Sequence, residues 1–97
     1  MNNKMRPVHP GEILRDELNE IGLSANALAK ALGVPANRIT AILNEQRAIT
    51  GDTALRLSKY FGTTPELWMN LQTAYDLRKT ILESGKQIDR TVKTRAA

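Results

Sequence analysis

Residues 24–50, SANALAKALGVPANRITAILNEQRAIT, leave this chain few folds to choose from. Ser24 is a natural helix N-cap, because its hydroxyl accepts one of the free backbone N–H groups of the first turn. An Ala- and Leu-rich helix follows over 25–32, with Leu28 and Leu32 four apart on one face. Gly33 stops it, since the left-handed backbone that ends a helix meets no Cβ clash in Gly. Val34 turns inward, and Pro35 suits the first position of a second helix, where its missing N–H is not needed. That second helix, over about 35–44, puts Ile39, Ile42 and Leu43 on its inner face. Ala36, Asn37, Arg38, Thr40, Ala41 and Asn44 are left outside. A small all-α domain is expected around this pair.

The outer face of the second helix carries small and amide side chains plus one Arg, where a face built for solubility favours Glu and Lys. Such a face suits a DNA major groove. Ala and Thr methyls can approach thymine, Asn can read adenine, and Arg can read guanine or hold a phosphate. The spacing resembles the helix-turn-helix of phage-repressor-like, XRE-type regulators. Ala36, Asn37, Thr40 and Ala41 are the base-edge candidates, with Arg38 able to read guanine or bind phosphate. Ser24, Asn26, Lys30, Asn44, Arg47 and Thr50 lie near helix ends or in loops, where phosphate contacts usually arise. Capping alone also accounts for Ser24, Thr50 and Asn44, and the bland reading of the pair is a generic helical hairpin.

At 97 residues the chain has room for one domain and a modest core, without a cysteine for a disulfide or thiolate metal site. No apolar run approaches the length of a membrane span, and no signal-peptide segment opens the chain, so a cytoplasmic location is expected. The net charge of +4 is unevenly placed. Residues 1–85 hold ten Lys/Arg and nine Asp/Glu, whereas residues 86–97 hold four basic residues and one acid. The basic balance therefore describes the tail, and a DNA argument must rest on the local face.

In chain order, residues 1–8 read as an extended arm in which Lys4 and Arg6 can touch a phosphate backbone. Pro10 and Glu12 favour the start of a first helix and Gly22 its exit. Ile13, Leu14, Leu18 and Ile21 form its buried stripe, and Glu12, Asp16, Glu17 and Glu20 an acidic face pointing away from DNA. Thr50 caps a fourth helix, with Ala54, Leu57 and Phe61 inward and Leu55 beside them, and Gly62 ends it. Thr64-Pro65 opens a long last helix to about residue 83. It carries two apolar stripes, Leu67, Leu71, Ala74 and Ile81 on one side and Trp68, Tyr75 and Leu82 on the other. One monomer can bury one stripe, so a homodimer using Trp68, Leu71, Tyr75 and Leu82 is expected. Burial of both stripes around Trp68 within one chain is the alternative. The domain is taken as 9–83, with 84–97 a flexible, disordered basic tail.

Catalysis finds little to work with. His9 is the only histidine and sits where a helix cap is expected; no Cys nucleophile or glycine-rich phosphate loop is present. No enzyme activity, metal or cofactor is expected.

Three segments together resemble one family. HPGEILRDEL, LAKALGVPANRITAILNEQRAIT and TALRLSKYFGTTPELWMNLQTAYDL are similar to HigA-type antitoxins, related to VapI-like regulators, over about residues 7–82. HPGE before Ile-Leu, and the run FGT-x-P-E-x-W-x-N-L-Q, are more specific than helix-turn-helix spacing. The resemblance implies a dimeric, five-helix, lambda-repressor-like domain that binds palindromic double-stranded operator DNA and represses its own operon. It also implies neutralisation of a HigB-like toxin, a RelE-like ribonuclease. It does not assign the toxin-binding surface, for which the acidic first-helix face is one option beside simple solvation. Many phage-type relatives carry Gln after the first cap; here Ala25 stands there, so backbone anchoring falls more on Asn26 and helix-terminal N–H groups. A stand-alone repressor without a toxin, and an interaction adaptor that has lost DNA binding, are the two alternatives.

Overall fold

The computed structural model describes residues 6–96, so Lys4 and the rest of the expected arm before Arg6 lie outside the described residues. Five helices and no strand occur among the described residues: α1 Pro10–Ile21, α2 Ala25–Leu32, α3 Ala36–Leu43, α4 Gly51–Phe61 and α5 Pro65–Thr91. Local chemistry sets their ends. The Ser24, Thr50 and Thr64 hydroxyls each accept a first-turn N–H, of Ala27, Thr53 and Leu67 respectively. Gly22, Gly33 and Gly62 all close their helices with φ near +70°. Pro35 is the N-cap of α3 and not its first helical residue, with extended backbone at ψ 147°.

The core is one cluster, fed by all five helices. Leu14 and Leu18 of α1 meet Leu28, Ala29 and Leu32 of α2, Ile39, Ile42 and Leu43 of α3, Ala54 and Leu57 of α4, and Trp68 of α5. Ile13 and Ile21, expected in the buried stripe of α1, are exposed. A 12-residue helix touching the core along a single seam buries only the Leu14–Leu18 line, and the flanking positions fall outside it.

The largest departure from expectation is α5. It continues through Ser84-Gly85 to Thr91, eight residues past the expected end. A lone Gly with helical φ costs roughly 1 kcal/mol relative to Ala and does not stop a helix. Lys79 with Glu83 supplies an i,i+4 ion pair, and no Pro interrupts the chain beyond Pro65. The segment expected as a tail is therefore helical for its first half, and within it residues 92–96 lack regular structure.

Glycine at position 11 fixes how α1 sits on α3. A Cβ there would lie 1.9 Å from the Ile42 carbonyl oxygen and 2.9 Å from its carbon. Only a residue without a side chain lets the two backbones come this close. Just before it, His9 caps α1, its Nδ1 accepting the Gly11 N–H at 2.8 Å. The imidazole is buried and meets Tyr75 of α5 edge-on at 4.8 Å.

Candidate nucleic-acid interface

The outer edge of α3 follows from its inner one. With Ile39 and Ile42 fully buried, Ala36 and Asn37 project from the first turn and are exposed. Arg38, Thr40 and Ala41 are half-buried along the flanks. The Thr40 hydroxyl donates to the Asn37 carbonyl at 3.4 Å, a bond back to its own helix. No acidic side chain lies on α3 itself.

The other expected contact residues frame this edge. Ser24 and Thr50 are exposed N-caps of α2 and α4, so each hydroxyl is occupied by its own helix while the neighbouring N–H groups of the first turn face outward. Asn26 and Lys30 are exposed and four residues apart on α2. Asn44 closes α3, and its side-chain oxygen accepts from Arg15 Nη2 at 3.3 Å. Arg47 is exposed in the loop after α3. Ala25 packs half-buried against the core and offers DNA no polar group.

Three side chains that look like ordinary surface residues in the sequence hold the two-helix unit in place. Arg15 of α1 also donates to the Leu43 carbonyl at 3.1 Å, satisfying a free carbonyl at the end of α3. Arg56 of α4 does the same for α2, with Nη1 on the Leu32 carbonyl at 2.8 Å. Gln72 of α5 is buried; its Oε1 accepts the Ile49 N–H at 2.8 Å and its Nε2 donates to Asp76 at 3.0 Å. Gln72 thereby ties down the loop that leads from α3 to α4. The only available sequence signals were the C-terminal positions of the carbonyls and the Gln in the NLQ run.

Electrostatics at the edge centre on Asp52, in the first turn of α4. Its Oδ2 accepts from Arg38 Nη1 at 2.5 Å and from Arg56 Nε at 2.9 Å. Those bonds, Arg56 first and Arg38 second, hold the Asp52 carboxyl below the usual carboxylate range. Away from this edge, Arg6 donates to Glu12 of α1 at 3.0 and 3.3 Å, which lowers the Glu12 carboxyl pKa.

The four residues expected at a dimer interface divide. Trp68 is 4% exposed, inside the core of its own chain, with Nε1 donating to Thr63 Oγ1 at 3.1 Å. Its ring is too large to leave wet and fills the gap between α4 and α5, beside Phe61. Trp68 is thus not available to a second chain as expected. Leu71 and Tyr75 are half-buried, and Leu82 is 52% exposed. Leu77, Ile81 and Ile88 on the projecting half of α5 are exposed as well.

Comparison with known proteins gives this geometry a context. Residues 14–68, from α1 into α5, match the helix-turn-helix family model. Virulence-associated protein I of Dichelobacter nodosus is 58% identical over 86 residues, covering 88% of this chain and 78% of that protein. Among solved structures, an addiction module antidote protein of a HigA family from Coxiella burnetii superposes with a TM-score of 0.91 at 58% identity, covering 93% of this chain and 99% of that one. Pseudomonas aeruginosa antitoxin HigA with the higBA promoter superposes with a TM-score of 0.90 at 48% identity, covering 94% and 100%.

Proposed function

Since the chain belongs to the helix-turn-helix family, in its HigA-type antitoxin branch, we propose that it is the antitoxin of a type II toxin–antitoxin module and a repressor of its own operon. The observation that carries this reading is the outer edge of α3, a helix without an acidic side chain, held on a scaffold shared with a relative whose structure includes its promoter. Ala36, Asn37, Thr40 and Ala41 face base edges, and Arg38 reads guanine or binds phosphate. Ser24, Asn26, Lys30, Asn44, Arg47 and Thr50 contact the backbone. Phosphate contacts then supply most of the affinity, with steep salt dependence, and the few base contacts supply specificity.

A palindromic operator is met by two copies of the chain. Leu71, Tyr75 and Leu82 share one apolar face of α5 that a second α5 covers, and the exposed Leu77, Ile81 and Ile88 form a second apolar strip about a third of a turn round the helix. The two α3 helices then enter successive major grooves about 34–36 Å apart. The protein acts in the cytoplasm as a binding protein and not as an enzyme. Its second partner is a HigB-like, mRNA-cleaving toxin.

Co-expression with the short reading frame adjacent to this gene tests the antitoxin role. Growth arrest by the neighbour alone, relieved by this protein in a stable complex, is the expected result. A harmless or non-binding neighbour would reduce the reading to a dimeric repressor without a toxin.

A further inference from the structure

Asp52 is an odd residue to find beside a DNA-reading edge. A carboxylate there repels the phosphate backbone, and its side chain is 55% exposed, so its ion pairs add little to stability. Its placement is nonetheless tightly determined. Asp52 sits in the first turn of α4, whose N-terminal dipole favours a negative charge. Arg56, one turn on, binds the same Oδ2 through Nε while its Nη1 is fixed on the Leu32 carbonyl. The carboxylate is therefore held from two sides, by α4 and by the end of α2, before it meets Arg38.

Arg38, by contrast, rises from the first turn of α3 with its side chain 24% exposed, and Asp52 is its one protein partner among the described residues. A guanidinium is planar, so fixing one Nη on a carboxylate also fixes the plane and the direction of the remaining N–H groups. We propose that Asp52 is a positioning residue for DNA recognition: anchored through Arg56 to α2, it aims the free edge of Arg38 at its base and so helps to determine operator specificity. The inference rests on the reading of α3 as the DNA-recognition helix. Asp52 itself touches no base. It raises discrimination by preventing Arg38 from collapsing onto any nearby phosphate, at some cost in general affinity.

The opposing effects of charge and geometry make this testable. Binding of the full-length protein to a duplex from upstream of its own reading frame, and to a scrambled duplex of equal composition, is measured for wild type, Asp52→Asn and Asp52→Glu. The same pair of duplexes is applied to Arg38→Ala and to Arg38→Ala combined with Asp52→Asn, with thermal unfolding recorded for each. Both Asp52 variants are expected to lower the operator-to-scrambled ratio by roughly tenfold, a typical loss for one misplaced bidentate contact. Scrambled-duplex binding stays equal for Asp52→Glu and tightens for Asp52→Asn. In the Arg38→Ala background, Asp52→Asn should leave the ratio unchanged. A ratio within twofold of wild type in both single variants would overturn the proposal, as would an equal loss with or without Arg38. If wild type itself shows no preference for the operator, it is the DNA-recognition reading that has failed.

Discussion

Replacing Gly11 by Ala is the sharpest perturbation this fold offers. In an unconstrained helix the change is stabilising, because Ala exceeds Gly by about 1 kcal/mol in helix propensity. Here the new Cβ would stand 1.9 Å from the Ile42 oxygen, where ordinary contact begins near 3.4 Å. The oxygen is backbone and the backbone fixes where the Cβ stands, so no rotamer change relieves the overlap, and α1 must back away from α3 by well over an ångström. That movement pulls Arg15 from the Leu43 carbonyl, and the same Cβ stands 3.0 Å from His9 Nδ1 and crowds the cap. Overpacking of this kind costs about 1–3 kcal/mol, and loss of a cap about 1 kcal/mol more. Set against the propensity gain, a net loss of about 1–3 kcal/mol is expected, or a fall in Tm of roughly 5–20 °C for a domain of this size. Circular dichroism melts of wild type and Gly11→Ala measure it directly. A Tm equal to or above wild type would refute the close approach of α1 to α3.

Three further outcomes follow from single contacts. Gln72→Leu leaves the buried Ile49 N–H without an acceptor and should cost about 1–3 kcal/mol in denaturant melts, whereas Asp76→Ala, which removes only the outer partner of Gln72, should cost far less. His9 is held below its ordinary pKa by burial, and its neutral Nδ1 is the cap acceptor. The unfolded chain therefore takes up a proton more readily: stability is complete above about pH 6.5 and declines as pH falls from there toward the lower folded-state value. His9→Asn, a non-titrating cap, should flatten Tm against pH over that range. Glu45, just past the end of α3, adopts φ +61°, a left-handed backbone that costs an L-residue roughly 1–2 kcal/mol. Glu45→Gly should raise Tm by a few degrees once the greater freedom of unfolded Gly is subtracted, and a lower Tm would show that the Glu side chain contributes more than its backbone strain.

Most of this architecture was legible because it is written in local chemistry. Ser24, Thr50 and Thr64 announce helix starts, and Gly22, Gly33 and Gly62 announce stops, so the first four helices lie within a residue or so of expectation. Gly85 shows the limit of that reading. A Gly ends a helix by adopting left-handed backbone, and Gly85 keeps a helical one, so α5 runs on to Thr91. The roles of Arg15, Arg56 and Gln72 were hidden for another reason. Each is a polar residue whose partner is a backbone group 23–28 residues away in sequence, and no periodicity encodes such a bond. HPGE and the FGT-to-NLQ run stood out as signatures before their use was visible. His9 and Gly11 seat α1 against α3, and Thr63, Trp68 and Gln72 brace α5 against the rest. Trp68 resolved toward the single-chain core, where its ring lies beside Phe61 and its Nε1 donates to Thr63.

The measurement that bears most directly on DNA recognition by α3 is a titration of the purified protein against the duplex upstream of its own reading frame and a scrambled control, repeated across a range of salt. A recognition helix of this kind predicts a preference for the operator of about a thousandfold or more, with both affinities falling steeply as salt rises. Equal affinity for the two duplexes would contradict it, and would leave the exposed edge of α3 as a surface for some other partner.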